Sequence, residues 1–258
     1  MNISRLFSIK KRPRRSPDGS MSFVEHLEEF RRRLIICTIA LLVSMFGCLT
    51  LSTKLFDVLQ MPLTNVPNHQ LIVLSPLEFY ITCLKLALIA GLFVVSPVIL
   101  FQIWRFIAPG LKSNEKRFML PFVILGTLFF IGGGTFAFLV VLPMAFDFLI
   151  KTMPETVSAQ YSVAIYFSLV IRMVLAFGCV FELPIFMCIL SAAGIVNPQT
   201  YSKFRKYWIV LAFIIGALLT PPDALTQVLM TIPLLVFFEV GALGARILYK
   251  KRESKIGN

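Results

Sequence analysis

The sequence predicts an all-α integral membrane protein with six transmembrane helices and both termini in the cytoplasm. Hydrophobic residues make up 57% of the 258-residue chain, and the mean hydropathy is +0.83. Soluble domains contain only about 45–50% apolar residues. Six apolar stretches divide the chain, and a membrane-spanning helix needs about 20 such residues. Basic residues are sorted between these stretches, and their sorting predicts the orientation.

Positive charge alternates along the chain. Of the 25 Lys and Arg residues, 21 lie in four segments, 1–33, 105–117, 203–206 and 246–255. The loops between these segments contain only Lys54 and Lys151. Cytoplasmic flanks of membrane helices carry an excess of Lys and Arg, so the four basic segments are predicted to lie inside. The net charge of +12 would also suit nucleic acid, but its placement beside apolar spans favours membrane topology and no nucleic-acid partner.

The first half of the chain is predicted to contain three spans. Spans and loops fall at about residues 34–53 (span 1), 54–77 (outside loop), 79–104 (span 2), 105–117 (inside loop) and 118–142 (span 3). An amphipathic helix from about Ser22 leads into span 1. Pro97 should kink span 2, because a proline in a helix interior removes one backbone hydrogen bond. Gly132–Gly134, at the centre of span 3, indicate close helix packing or local irregularity.

The second half is predicted to contain a long span followed by two short ones. Its parts fall at about residues 143–162 (outside loop), 163–192 (span 4), 194–206 (inside loop), 207–220 (span 5) and 224–243 (span 6). Pro184 should kink span 4. Span 5 has about 14 residues, or about 21 Å, less than the roughly 30 Å hydrocarbon core. Two arrangements of spans 5 and 6 stay open, short helices in a thinned bilayer or a re-entrant hairpin.

Polar residues inside the spans are candidate functional groups, because a charge in the bilayer costs about 2.5–3.5 kcal/mol. Arg172 and Glu182 are about 15 Å apart along a helix and cannot pair directly. Glu182 therefore needs another partner, a proton or water. A polar site near Glu182 and Gln227 would suit binding of a partner helix. The alternative, hydrogen bonding inside the bundle, has equal weight.

Acidic residues also stand among the basic residues of the inside face. On a helix, Glu29 lies one turn from both Glu25 and Arg33. A solvated helix start, with carboxylates first and bases later, is the simpler interpretation of this pattern. Glu115 has a similar alternative, since Ser113 is a suitable N-cap with Glu115 in the first turn.

Several segments together resemble the TatC family, the multispanning subunit of the twin-arginine protein translocase. They are His26–Leu34, Ser96–Gln102 with Trp104, Phe106–Glu115, Ala176–Gly178 with Phe181–Pro184, and Thr220–Asp223 with Gln227 and Pro233. The resemblance covers about residues 22–249. A basic cytoplasmic tail over 1–21, predicted to be disordered, precedes this six-span domain, and a second basic tail over 250–258 follows it. Departures from the family pattern are small, such as Phe30 in place of the usual Leu.

The resemblance implies a cup-like bundle that acts as a signal-peptide receptor. In this family the subunit recognises the Arg-Arg motif of folded export substrates at the cytoplasmic face. By motif match, Glu29 and Glu115 would hold the two arginines, with Arg31 and Phe106 nearby. The chemistry agrees, because planar guanidinium groups bind carboxylates in a fork that lysine cannot reproduce.

The resemblance also implies partners and a location. Single-span TatA- and TatB-like proteins would dock beside spans 5 and 6, where the matching polar positions are Glu182, Gln227 and Thr226. Export would be driven by the proton motive force, with no cofactor or metal in this chain. Structural roles are expected for four further residues, Pro62, Pro97, Pro184 and Asp223. A multi-pass protein of the bacterial inner membrane is expected, and self-association is left open.

Two other classes of protein fit the sequence less well. A small-molecule transporter or channel would need polar groups along a path and often shows internal repeats, whereas the intramembrane charges here are sparse. An intramembrane enzyme would need catalytic motifs, but the spans contain no HExxH, no GxSxG and no paired aspartates. The sequence therefore predicts a subunit that takes part in the translocation of proteins, not a small-molecule transporter and not an enzyme.

Overall fold

The chain is nearly all-helical in a computed structural model that describes residues 23–63, 70–107, 119–152, 154, 160–219 and 224–256. The helices and strands are α1 (Phe23–Leu49), α2 (Ser52–Leu59), β1 (Gln70–Ile72), α3 (Pro76–Ile107), α4 (Met119–Phe136), α5 (Leu142–Lys151), β2 (Gln160–Ser162), α6 (Val163–Phe181), α7 (Leu183–Ala192), α8 (Pro198–Leu219) and α9 (Ala224–Ile256). A 3-10 turn, Met61–Leu63, follows α2, and a π-helical segment, Ala137–Val141, joins α4 to α5.

Within the part of the chain that the structure describes, five helical segments are long and apolar enough to cross a membrane. They are Val24–Leu49, Pro76–Phe106, Leu120–Leu149, Val163–Ala192 and Met230–Lys251. These segments overlap predicted spans 1, 2, 3, 4 and 6, most closely at spans 2 and 4. The helix at predicted span 5, α8, has Lys203, Arg205 and Lys206 in its first half, so its apolar part begins only at Tyr207.

Helices α8 and α9 are longer than the short spans predicted for this region. Helix α8 has 22 residues and begins at Pro198, where the Asn197 side chain accepts a hydrogen bond from the backbone N–H of Gln199 at 2.9 Å. Helix α9 has 33 residues and continues through the polar segment to Ile256. Backbone hydrogen bonding does not depend on side-chain polarity, so both helices extend past their apolar runs. The apolar runs in this region are short, but the helices that contain them are long.

Side-chain contacts show that successive long helices alternate in direction. Ser44 bonds to the carbonyl of Gly91, and Arg33 bonds to that of Gln102, so α1 and α3 are antiparallel. Helices α8 and α9 are also antiparallel, because Arg205 pairs with Glu239 and Ser202 accepts from Arg246. Helix α4 is antiparallel to both α3 and α6, because Gly134 lies beside Phe93 and Val174 whereas Gly126 lies beside Leu100 and Glu182. The two strands therefore mark one end of the bundle, called here the strand end. The start of α1 and the end of α9 mark the other, called here the terminal end.

The core of the bundle is built around α6 and α7. About half of the residues of the Val163–Ala192 segment are buried, whereas Cys48 is the one buried residue of the Val24–Leu49 segment. Large side chains that are almost fully enclosed come from α3, α5, α6 and α9, among them Leu86, Leu142, Phe167, Phe177, Met230 and Leu234. Helix α1 is therefore an edge helix that presents most of its surface outward.

Glycines permit a close crossing between α4 and α6. A Cβ at Gly133 would lie 2.5 Å from the carbonyl oxygen of Phe177, and a Cβ at Gly134 would lie 2.5 Å from the Phe93 ring. The predicted close packing around Gly132–Gly134 is confirmed for these two glycines. Gly132 has open space where its Cβ would be. The π-helical segment follows at Ala137, so this helix is irregular as well as closely packed.

Two prolines have different effects on their helices. Helix α3 continues through Pro97 without a break. Pro184 lies in the first turn of α7, one residue after the helix starts at Leu183. The helical run is interrupted at Glu182, between the end of α6 and the start of α7. The disturbance predicted at Pro184 is thus confirmed as a change of helix.

The predicted outside loops contain more regular structure than expected. Strand β1 pairs with β2 in parallel, with Leu71 opposite Tyr161. Residues 143–162, predicted as a loop, instead continue as helix α5 to Lys151 and end in strand β2. Pro143 does not end the helix, which runs on from the π-helical segment Ala137–Val141 into α5.

Candidate functional site

A carboxylate and a guanidinium lie together at the terminal end of the bundle. The Arg33 side chain donates through Nη2 to Oε1 of Glu29, one helical turn away on α1. Its Nη1 donates to the backbone carbonyl of Gln102 on α3 at 3.1 Å. Arg33 therefore fastens the start of α1 to the end of α3.

Aromatic rings strengthen the same contact between α1 and α3. The Phe106 ring stacks on His26 with a centroid distance of 4.3 Å, and Phe30 packs against it at 5.5 Å. Aromatic pairs at these separations are worth about 0.5–1.5 kcal/mol beyond the area that they bury. The result is a small patch at the terminal end, formed by His26, Glu29, Phe30, Arg33 and Phe106 and called here the α1–α3 patch.

The α1–α3 patch is partly shielded from solvent. The Glu29 side chain is 23% exposed and the Arg33 side chain 12%. Glu29 Oε2 and Arg33 Nε are enclosed and have no hydrogen-bond partner among the described residues. An enclosed carboxylate oxygen without a donor is costly, so Oε2 is a ready acceptor for an incoming N–H group.

A second carboxylate, Glu182, lies within the bundle at the junction of α6 and α7. It is 6% exposed, and its Oε1 has no hydrogen-bond partner among the described residues. Gly126 on α4 makes room for it, since a Cβ there would lie 3.1 Å from Glu182 Oε2. Glu182 therefore faces the interior and not the surrounding lipid.

Gln227 bridges α8 and α9 close to the strand end. The side-chain Nε2 of Gln227 donates to the backbone carbonyl of Phe213 at 3.0 Å. The backbone carbonyl of Gln227 accepts from the Thr231 hydroxyl at 2.7 Å. The ring of Phe181, beside Glu182, packs on Phe237 at 3.8 Å. Phe237 is ten residues beyond Gln227, about 15 Å along α9. The structure therefore does not bring Glu182 and Gln227 into one cluster.

Known proteins match this chain over most of its length. Residues 25–233 match the family described as "Sec-independent protein translocase protein (TatC)". The chain is 43% identical to the Sec-independent protein translocase protein TatC of Aquifex aeolicus, over 90% of this chain and 98% of that protein. It is 35% identical to the protein of that name from Escherichia coli K12, over 93% and 94% of the two chains. The chain belongs to the TatC family.

A solved structure agrees with this assignment. The crystal structure described as "Twin Arginine Translocase Receptor- TatC" superposes with a TM-score of 0.79 at 42% identity, over 87% of this chain and 99% of that one. Membership of the TatC family makes this chain a multi-pass protein of the bacterial inner membrane. It is a membrane subunit of a protein translocase, a transport component and not an enzyme.

The TatC-like site residues predicted for signal recognition are only partly described by the structure. Glu29 and Phe106 meet in the α1–α3 patch through their neighbours, Arg33, His26 and Phe30. Arg31 is exposed on α1. Glu115 lies outside the described residues.

The remaining predicted residues occupy separate places. Pro62 is buried in the 3-10 turn after α2. Asp223 lies outside the described residues. Thr226 belongs to α9, although its side chain is not described.

Sequence reasoning missed one carboxylate of this TatC-family chain that the structure makes prominent. Glu78, at the start of α3, is 8% exposed and receives four hydrogen bonds at the strand end. The signal was present in Ser75-Pro76-Leu77-Glu78, which has the S-x-x-E spacing of a helix capping box. The long-range partners of Glu78 have no such local signature.

Proposed function

We propose that this protein is the signal-peptide receptor and core subunit of a twin-arginine translocase. It recognises the Arg-Arg motif of folded export substrates at the cytoplasmic face of the membrane. The observation that supports this role best is the half-buried carboxylate of Glu29, with its enclosed Oε2 at the terminal end. Glu115 supplies the second carboxylate.

The proposed topology has six spans, with α8 as the fifth, in a cup-like bundle. Alternating helix directions support it, because they bring the start of α1 and the end of α9 to the same end. The basic residues of these two segments and of the first half of α8 gather at that end. Excess Lys and Arg is typical of the cytoplasmic side, so the terminal end is proposed to be cytoplasmic.

Arginine recognition cannot supply all of the affinity. A hydrogen bond to a charged group contributes about 1.5–3 kcal/mol, so two arginine–carboxylate pairs give about 3–6 kcal/mol before entropy costs. A micromolar complex needs about 8 kcal/mol. The apolar segment of the signal peptide must therefore also bind, on the concave apolar surface of the bundle.

A peptide-binding measurement tests the receptor role. In Glu29→Gln and in Glu115→Gln, we expect the affinity for a twin-arginine signal peptide to fall about 10- to 150-fold, because each loses one charged pair. Glutamine is preferable to alanine at Glu29, since alanine would leave the enclosed Arg33 without any polar neighbour on α1. Binding would be measured by calorimetry on the purified protein in detergent, after size-exclusion chromatography shows intact folding.

The control for this measurement is Glu28→Gln, which removes the same charge from an exposed neighbouring position. Its affinity should stay close to that of the unaltered protein. A double variant, Glu29→Gln with Arg33→Gln, removes the pair without leaving a lone charge. Its affinity for the signal peptide should remain as low as that of Glu29→Gln. Undiminished, arginine-dependent binding in both Glu29→Gln and Glu115→Gln would contradict the receptor assignment.

The proposed function includes single-span TatA- and TatB-like partners recruited for export driven by the proton motive force. Gln227 is half-buried on α9 and uses its amide to bridge to α8. A partner helix that lies along α9 would pass the level of Gln227 and, about 15 Å further on, that of Glu182. Thr226 is proposed to contribute beside Gln227.

A crosslinking experiment tests the partner site. The double variant Glu182→Ala with Gln227→Ala should still bind signal peptide but lose site-specific crosslinks to a TatA-like helix, because both polar positions are removed. Thr135→Ala is a matched control, as it removes an exposed hydroxyl from α4, whose hydrogen bond is local. Crosslinks as strong in the double variant as in the control would refute the site.

A further inference from the structure

The proposed signal-binding carboxylate already holds a guanidinium. Arg33 Nη2 occupies Oε1 of Glu29, and Arg33 Nη1 is bonded to the carbonyl of Gln102. Oε2 of the same carboxylate is enclosed and has no partner among the described residues. One oxygen of Glu29 is thus already engaged, and the other lacks a donor in its enclosed position.

We propose that Arg33 is an internal competitor for the signal-peptide arginine at Glu29 and thereby a specificity-determining residue of the receptor. The inference rests on the proposed receptor function. An arginine binds a carboxylate most strongly through two parallel N–H···O bonds, which need both oxygens. A ligand arginine can reach that geometry at Glu29 only when Arg33 leaves Oε1.

The surroundings of Arg33 allow such an exchange. Its bond to the Gln102 carbonyl does not involve Glu29, so the displaced guanidinium keeps one acceptor on α3. Glu29 is more exposed than Arg33, 23% against 12%, so a ligand approaches from the side of the carboxylate. The resident cation therefore shifts aside within the α1–α3 patch and need not move into solvent.

Competition of this kind lowers the apparent affinity. A site that is free for only part of the time binds with a dissociation constant raised by the inverse of that fraction. The effect should depend on ligand chemistry. A lysine ammonium is a point charge that cannot form the two parallel bonds, so it gains less than an arginine does when Arg33 is removed. The arginine fork gains the second oxygen.

Two variants separate competition from general repulsion between positive charges. Arg33→Gln removes the competitor, and Arg32→Gln removes the same charge from the next, exposed residue. A twin-arginine peptide should bind Arg33→Gln about tenfold tighter than Arg32→Gln, the effect of one charged hydrogen bond released. A peptide with two lysines in place of the arginines should show a clearly smaller difference between the two variants. The tenfold difference should persist at high salt, because half-buried pairs are screened less than exposed ones.

A third variant covers the case in which Arg33→Gln folds poorly. Arg33→Lys keeps the positive charge but lacks the fork that bridges Glu29 and Gln102. Its affinity for the twin-arginine peptide should lie between those of the unaltered protein and Arg33→Gln. Binding to Arg33→Lys that is unchanged or weaker would overturn the proposal.

Other outcomes are equally decisive. Equal tightening in Arg33→Gln and Arg32→Gln would show only repulsion and overturn the competitor role. Weaker binding in Arg33→Gln would show that Arg33 supports the site, and would also overturn it. Glu29→Gln distinguishes the two levels of the argument. If that variant binds the twin-arginine peptide as well as the unaltered protein does, the receptor function of Glu29 fails, whatever Arg33 does.

Discussion

Replacing Gly133 with alanine is expected to destabilise the crossing of α4 and α6 by about 1–3 kcal/mol, the usual cost of overpacking. The new Cβ would lie 2.5 Å from the carbonyl oxygen of Phe177 and 2.7 Å from Cγ of Phe181. The Phe177 side chain is fully buried, and its carbonyl belongs to the backbone of α6, so neither can move aside freely. The apparent unfolding midpoint in detergent should fall by about 2–12 °C.

The neighbouring glycine provides the control. Gly132 is exposed, and an added Cβ there would have no atom of another residue within 4 Å. Because glycine in a helix interior is less favourable than alanine by about 0.5–1 kcal/mol, Gly132→Ala should be neutral or slightly stabilising. Similar midpoints for the two alanine variants would contradict the close crossing at Gly133.

The clash at Gly133 should also displace the buried carboxylate of Glu182. Phe181, which the new Cβ would press, precedes Glu182 and packs on Phe237 of α9. Moving Phe181 would therefore shift the junction of α6 and α7 relative to α9. Helix crossing and the position of Glu182 are coupled through one aromatic side chain.

Much of the fold could be predicted from the sequence because hydropathy is a local property. The approximate positions of the five described segments that are long and apolar enough to cross a membrane follow from apolar runs, which need no knowledge of their neighbours. Hydropathy does not locate the start of α8 or the end of α9, since both helices continue through polar segments beyond their apolar runs. The pairing of β1 with β2 joins residues 90 positions apart, Gln70 and Gln160, and has no local signal.

The candidate site divides along the same line. The spacing of Glu29 and Arg33 on one helix face is visible in the sequence, because residues four apart are neighbours on a helix. The contacts of Arg33 with Gln102 and of His26 with Phe106 depend on how α1 packs on α3. The separation of Glu182 from Gln227 depends on the register of α7 against α9. Both are tertiary properties that periodicity does not reveal.

The carboxylate of Glu78 links the start of α3 to the start of α6 at the strand end. Its Oε2 accepts from the backbone N–H groups of Leu74 and Ser75, at 2.6 and 3.3 Å, which completes the capping box of α3. Its Oε1 accepts from the Ser162 hydroxyl and the Ala164 N–H, both at 2.6 Å, at the start of α6. One side chain thus caps two helices, and its negative charge lies near the positive ends of both.

Replacing Glu78 with glutamine should disrupt this arrangement although the side chain keeps its shape. Four donors converge on two carboxylate oxygens, whereas glutamine offers one oxygen and turns an NH₂ group toward N–H donors. The N–H donors at the start of α3, or the N–H and hydroxyl donors at the start of α6, would then lose their acceptor within a buried site. We expect the apparent unfolding midpoint to fall by about 5 °C or more. Hydrogen exchange at β1 and β2 should rise with it, because Ser162 ends β2 and Leu74 follows β1 closely.

Asp147→Asn gives a matched control for the loss of a carboxylate. Asp147 pairs with Lys151 on α5, but its side chain is 63% exposed, and such surface pairs contribute little to stability. Its midpoint should therefore stay near that of the unaltered protein. Glu78→Asp keeps the charge but has a shorter side chain, so it should preserve the contacts with one helix at most. Its unfolding midpoint should lie between those of Glu78→Gln and the unaltered protein. A midpoint for Glu78→Gln equal to that of Asp147→Asn would show that the strand end does not depend on this carboxylate.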